Sequence, residues 1–129
     1  MLDHIGIAVG DYARSRDFYE RALGPLGIRL LMTFETWAGF GPAGTGPDEL
    51  QRKPSFWIHQ SDEPLSPVHV AFAAADRAQV RAFHQAALAA GGRDNGGPGL
   101  RQEYHPTYFG AFVLDPDGHN IEAVCHAPE

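Results

Sequence analysis

Two histidines and a glutamate in this 129-residue chain, His4, His69 and Glu122, have the types and the placement to hold a divalent cation. Two imidazoles and one carboxylate leave coordination positions open for a substrate and suit Fe, Mn, Ni or Zn. The grouping rests on strand alternation, because successive side chains of a strand point to opposite faces. In residues 2–9 the apolar stripe Ile5, Ile7 and Val9 leaves His4, Gly6 and Ala8 on the other face. In residues 68–73 the stripe Val68, Val70 and Phe72 leaves His69, Ala71 and Ala73. Near the end of the chain Ile121, Ala123 and Cys125 form the apolar set, so Glu122 projects opposite, where a carboxylate is costly unless paired or coordinated. Taken singly, a strand histidine is more often a hydrogen-bonded core residue and a glutamate near a strand end is more often solvated. The combination argues for a metal.

What brings the two histidines together is an internal repeat. With the chain laid over itself at an offset of 65, His4 falls on His69. Between there and Gly27 over Gly92 the 24 compared positions contain nine identities: His4/His69, Ala8/Ala73, Asp11/Asp76, Ala13/Ala78, Arg16/Arg81, Phe18/Phe83, Ala22/Ala87, Leu23/Leu88 and Gly27/Gly92. About one or two would arise by chance from average residue usage. A duplicated module docking about a pseudo-twofold axis brings equivalent strands, and so the histidines, close together. The same offset places Trp57 at the counterpart of Glu122. An indole cannot ligate a metal, but it can wall a pocket, stack on a substrate or simply fill the core.

The elements that must position these residues follow from period and punctuation. Each copy opens with a period-two apolar strand, then an aspartate, Asp11 or Asp76, in N-cap position. Helical spacing follows in Phe18, Ala22 and Leu23, and in Val80, Phe83, Ala87 and Leu88; Gly24 and Gly27, or Gly91 and Gly92, end the helices. Three short strands are expected after each helix, near 28–33, 35–40 and 55–60 and near 100–104, 108–114 and 119–125. Residues 41–54 form a long Gly/Pro-rich loop, and Asp115-Pro116-Asp117-Gly118 marks the final hairpin turn. The expected fold is α+β, a single domain of two tandem βαβββ modules (1–60 and 68–129, linker 61–67) forming a curled mixed sheet around a central cleft.

Length and 43% hydrophobic content suit one domain with one core. A net charge of −6 argues against a nucleic-acid partner, which needs a basic surface. The lone Cys125 excludes an internal disulfide, and no apolar run approaches the roughly 20 residues of a membrane span, so a cytoplasmic protein with no membrane partner is expected.

The segments Leu2-Asp3-His4-Ile5-Gly6-Ile7-Ala8-Val9, Phe18-Tyr19, Leu23-Gly24, His69-Val70-Ala71-Phe72 and Asp115-Pro116-Asp117-Gly118-His119-Asn120-Ile121-Glu122 resemble the vicinal oxygen chelate superfamily. That group includes glyoxalase I, extradiol dioxygenases, fosfomycin-resistance thiol transferases and bleomycin-resistance proteins. The resemblance covers nearly the whole chain. It implies that His4, His69 and Glu122 are metal ligands, and that the metal accepts two adjacent substrate oxygens as a Lewis acid. It also implies a homodimer, since such chains often pair to complete or cover their clefts. Trp57 departs from glyoxalase I, which has a carboxylate or glutamine there. Gly6 departs from the fosfomycin enzymes, which have a hydroxyl residue at that place.

By analogy with the family, Tyr108 and Phe112 face the pocket, with Tyr108 a candidate catalytic group. His105, beside Pro106, is a candidate general acid or base because a free imidazole titrates near neutrality. Trp57, Phe112, Arg101 and Tyr104 are candidate substrate-binding residues; His59, His84, His119 and His126 read as surface or packing residues. Two functions are open: a metal-dependent lyase or dioxygenase-like enzyme acting on a small molecule with vicinal oxygens, or a metal-free module that sequesters a ligand in the same cavity.

Overall fold

The computed structural model of the chain describes residues 1–44 and 53–129. The central part of the loop expected at 41–54 therefore lies outside the described residues. The strands are β1 (Ile5–Val9), β2 (Ile28–Phe34), β3 (Trp37–Pro42), β4 (Phe56–Gln60), β5 (His69–Ala73), β6 (Arg93–Asp94), β7 (Gly99–Leu100), β8 (Phe109–Leu114) and β9 (Asn120–Cys125), with helices α1 (Tyr12–Leu23) and α2 (Arg77–Ala89). Both helices start where an aspartate accepts from the third residue beyond it, Asp11 from the Arg14 amide and Asp76 from the Gln79 amide.

The architecture is α+β, with two curled mixed sheets. One has the order β1-β4-β3-β2; the other has β5-β9-β8-β6, with β7 also paired to β8. Each sheet holds one parallel pairing, β1 with β4 and β5 with β9. Gly6 lies opposite Trp57 in the first, and Ala71 opposite Glu122 in the second, so the corresponding members of the two pairs are 65 residues apart. One sequence offset thus describes two separate ladders.

Two expectations shift. The hairpin expected just before residue 35 turns instead at Glu35 and Thr36, so β3 begins at Trp37. No glycine or proline announces this turn; Glu35 itself takes the left-handed conformation at φ 51°. The strand expected at 100–104 shrinks to Gly99–Leu100. Beyond it the Arg101 carbonyl accepts from the Tyr104 and His105 amides and the chain reverses, which puts Arg101 and Tyr104 in a turn rather than on a strand.

One core joins the halves. Phe18, Tyr19, Ala22 and Leu23 from α1 and Val80, Phe83 and Ala87 from α2 pack on the apolar faces of both sheets, through Ile7, Val9, Phe40, Phe56, Ile58, Phe109, Val113 and Ile121. The 115–118 turn, read from the sequence as a local hairpin, also clasps the halves. Buried Asp115 accepts from the Tyr19 hydroxyl at 2.5 Å and from the Asp117 and His119 amides at 2.9 Å. Asp117 accepts from the Gly10 amide at 3.1 Å and from Arg14 and Ser15 of α1. Buried His119 accepts from the Val68 amide through Nδ1 and donates through Nε2 to the Ala8 carbonyl at 2.8 Å. Burying this much polar surface is tolerable because its donors and acceptors are matched.

Candidate functional site

With the core on one side of each sheet, the other faces lie open, and these carry the residues singled out from the sequence. On the second sheet Glu122 is 1% exposed, although it comes from the open face, because neighbours cover it. Its Oε1 accepts from His69 Nε2 at 2.8 Å, and its Oε2 accepts from the Tyr108 hydroxyl. Gly110 makes room for this phenol. A Cβ at residue 110 would come within 3.1 Å of the Tyr108 ring and 3.3 Å of Glu122 Oε2. Burial, and then the bond to the Glu122 carboxylate, hold the Tyr108 phenol above the usual tyrosine pKa, so it remains a donor to that carboxylate.

Around this trio stand Phe112, Arg101 and Tyr104, all expected in the site, and His126, which the sequence reads as a surface or packing residue. The Phe112 ring lies 6.2 Å from the His69 ring, and the Arg101 guanidinium lies 5.4 Å from the centre of Phe112. Tyr104 meets Tyr108 edge-on at 5.2 Å, and His126 does so from another side at 5.1 Å. His105 is exposed, its ring 5.9 Å from that of His126 and its carbonyl accepting from the Tyr108 amide at 3.1 Å. Its Nδ1 accepts from the Thr107 amide, which leaves Nε2 to carry the proton of the neutral ring.

His4 stands apart from these groups. It precedes β1 on the first sheet, half exposed, and its Nδ1 pairs with Asp3 at 2.6 Å. Asp3 in turn pairs with Lys53. The His4 bond first, and Lys53 second, hold the Asp3 carboxyl below the usual range. Among the described residues, the one set of three potential ligand side chains converging within 4.8 Å is Asp115, Asp117 and His119. His4, His69 and Glu122 therefore do not converge to that distance within one chain. The Asp115, Asp117 and His119 set is the clasp described above, and both ring nitrogens of His119 are already committed to backbone groups.

Beside His4 the first sheet carries a cavity of about 590 Å³ lined by Gly6, Phe34, Trp37, Lys53, Pro54, Trp57 and His59 as well as His4. Trp57 is where the duplication put it. Phe34, Trp37, Lys53 and His59 were missed as site residues, and His59 was read as surface or packing. For Trp37 the signal was present: Trp37, Gly39 and Gly41 alternate with Ala38 and Phe40, so a strand burying the latter must turn the tryptophan to the open face.

Two strand-helix-sheet halves, each presenting one histidine on its open face, with a buried glutamate beside one of them, define a paired-module α+β protein of the glyoxalase fold. The chain belongs to the Glyoxalase/Bleomycin resistance protein/Dioxygenase superfamily, whose family model matches residues 1–123. A crystal structure of a glyoxalase/bleomycin resistance protein from Albidiferax ferrireducens is similar over 99% of both chains, at 28% identity and a TM-score of 0.79. A glyoxalase/bleomycin resistance protein/dioxygenase family enzyme from Burkholderia phytofirmans shares the fold at 15% identity and a TM-score of 0.69, over 97% of this chain and 98% of that one. A glyoxalase I mutant from Zea mays does so at 24% identity and 0.70, with 95% of this chain covering 46% of that one. No curated protein matches significantly. Among the described residues no helix is long and apolar enough to cross a membrane.

Proposed function

We propose that this protein is a small divalent-metal-dependent enzyme, of lyase or dioxygenase-like chemistry, that uses His4, His69 and Glu122 to chelate adjacent oxygens of a small substrate. The observation that carries this reading is the pairing of His69 Nε2 with Glu122 Oε1 at 2.8 Å on an open face, with the carboxylate itself buried. A buried anionic oxygen beside an imidazole nitrogen fits a divalent ion of the Fe, Mn, Ni or Zn type, which would displace the proton the two now share. Such an ion supplies Lewis acidity toward the substrate oxygens. The chain's own residues do the rest. Tyr108 fixes the Glu122 carboxylate from behind, as outer partners of ligands do. Phe112 and Arg101 wall the same face, and His105 offers an exposed imidazole at its margin for proton exchange.

The separation of His4 from the pair supports a homodimer within this reading. A second copy, set open face to open face, would bring His4 of one chain against His69 and Glu122 of the other. The second reading, a metal-free sequestering module, is favoured by one feature, the aromatic cavity on the first sheet. Metal analysis after aerobic and anaerobic purification separates the two. The enzyme reading expects about one ion per chain in the wild type and its loss in Glu122→Ala, with retention falling more than about 100-fold. A wild-type protein free of stoichiometric metal, in which His4→Ala alters neither metal uptake nor stability, overturns it.

A further inference from the structure

The chain has two tryptophans, and both line the cavity on the first sheet. Their rings stand 6.5 Å apart at 70°, forming a corner. Trp57 is flanked in register by glycine on each side, Gly6 from β1 and Gly39 from β3. A Cβ at residue 39 would fall 2.9 Å from Trp57 Cη2 and 2.8 Å from Pro54, so the indole lies down against the sheet across Gly39. Its other face is thereby turned outward. Trp37 is backed by His59, stacked on it at 4.4 Å and 23°. Phe34, 68% exposed, stands at the rim. Lys53 is paired with Asp3, so its charge is already matched at the edge of the cavity.

We infer that this face receives a flat, conjugated ring system, stacked on Trp57 against the Trp37 wall, with the ring's oxygen substituents directed toward His4. The inference deepens the proposed function and rests on it only in taking the cavity beside His4 as part of the site. Two aromatic planes meeting at a corner over a glycine floor select for planarity: a flat π-system meets the indole over its whole face, whereas a puckered ring of equal size touches it at a few atoms. The volume lies within the range of small-molecule pockets.

Because both indoles line this cavity, tryptophan emission reports the face directly. The test uses 2-naphthol and its saturated counterpart decahydro-2-naphthol, each with a single hydroxyl, in the presence of EDTA, with binding measured by equilibrium dialysis and by fluorescence. 2-Naphthol is expected to quench the emission and to bind at least about tenfold more tightly than the saturated probe. Trp57→Leu should weaken it about tenfold, while Trp57→Phe, which keeps a flat face, stays within about threefold. Circular dichroism confirms that both variants fold. Equal binding of the two probes, or unchanged binding to Trp57→Leu, overturns the inference. So does failure of both probes to bind. EDTA and the single hydroxyl keep the result independent of metal, so this inference can fail while metal analysis supports the enzyme reading, and the reverse.

Discussion

Where the second sheet holds Glu122, between Ala71 and Phe112, the first holds Trp57, between Gly6 and Gly39. The next open-face pair across the same strands is Gly110 and Val124 in the second sheet and Trp37 and His59 in the first. Each face thus has one crowded and one emptied position, in opposite places. On the second sheet the glycine at 110 admits the Tyr108 phenol onto a carboxylate; on the first the glycine at 39 admits an indole onto the sheet. One backbone register supports polar, ligand-like chemistry on one half and a stacking surface on the other. The histidines, His4 and His69, and the small residues Ala8 and Ala73 are common to both. Duplication supplies the frame, and single substitutions at matched positions decide what each frame can hold.

The comparison depends on the clasp that fixes the halves relative to each other, and breaking the clasp has the largest expected effect. Tyr19→Phe leaves one oxygen of buried Asp115 without its donor and should cost about 1.5–3 kcal/mol in chemical denaturation at neutral pH. Burial, and then the negative charge of Asp115, hold the Tyr19 phenol well above the usual tyrosine range. Above pH about 10 the unfolded chain releases this proton while the folded chain keeps it, so stability falls as pH rises from there. The Tyr19→Phe variant should lack that part of the alkaline loss. An identical alkaline limb in the two proteins would show that Tyr19 is not the group responsible.

Next in size, Tyr108→Phe sharpens the contrast between the faces. It removes the donor behind Glu122 without touching the first sheet, and should weaken metal binding by about 10–100-fold while leaving the indole emission unchanged. Gly110→Ala, which crowds the same phenol, should move metal affinity in the same direction. Unaltered affinity in both would show that Tyr108 merely packs there.

Much of this frame was legible in the sequence because it depends on local rules. The offset of 65, the capping aspartates Asp11 and Asp76 and the alternation that separates His69 from Val70 all reappear in the structure. The offset fails at the strand before the last in each half, β3 and β8. Gly39 pairs with Trp57, 18 residues on, whereas Phe112 pairs with Glu122, 10 residues on, so the first half has a longer connection. Trp37 was therefore not lined up with Gly110, and the aromatic corner went unseen. Pseudo-symmetry also says that two histidines occupy equivalent places, not that those places face each other within one chain. His119 and Asp117 were opaque for a similar reason: their partners, Ala8 and Gly10, lie more than 100 residues away, beyond any periodicity.

The central claim, a metal site whose ligands come from two open faces, meets its most direct test in complementation. His4→Ala and Glu122→Ala chains are purified separately and after co-expression, and the metal content of each is measured. If His4 of one chain completes the site of another, the mixed dimer contains one intact set, and random pairing should restore about a quarter of the wild-type metal to a co-expressed pool whose parents hold none. A co-expressed pool as empty as either parent, beside a wild type that binds metal, would contradict a site shared between two chains.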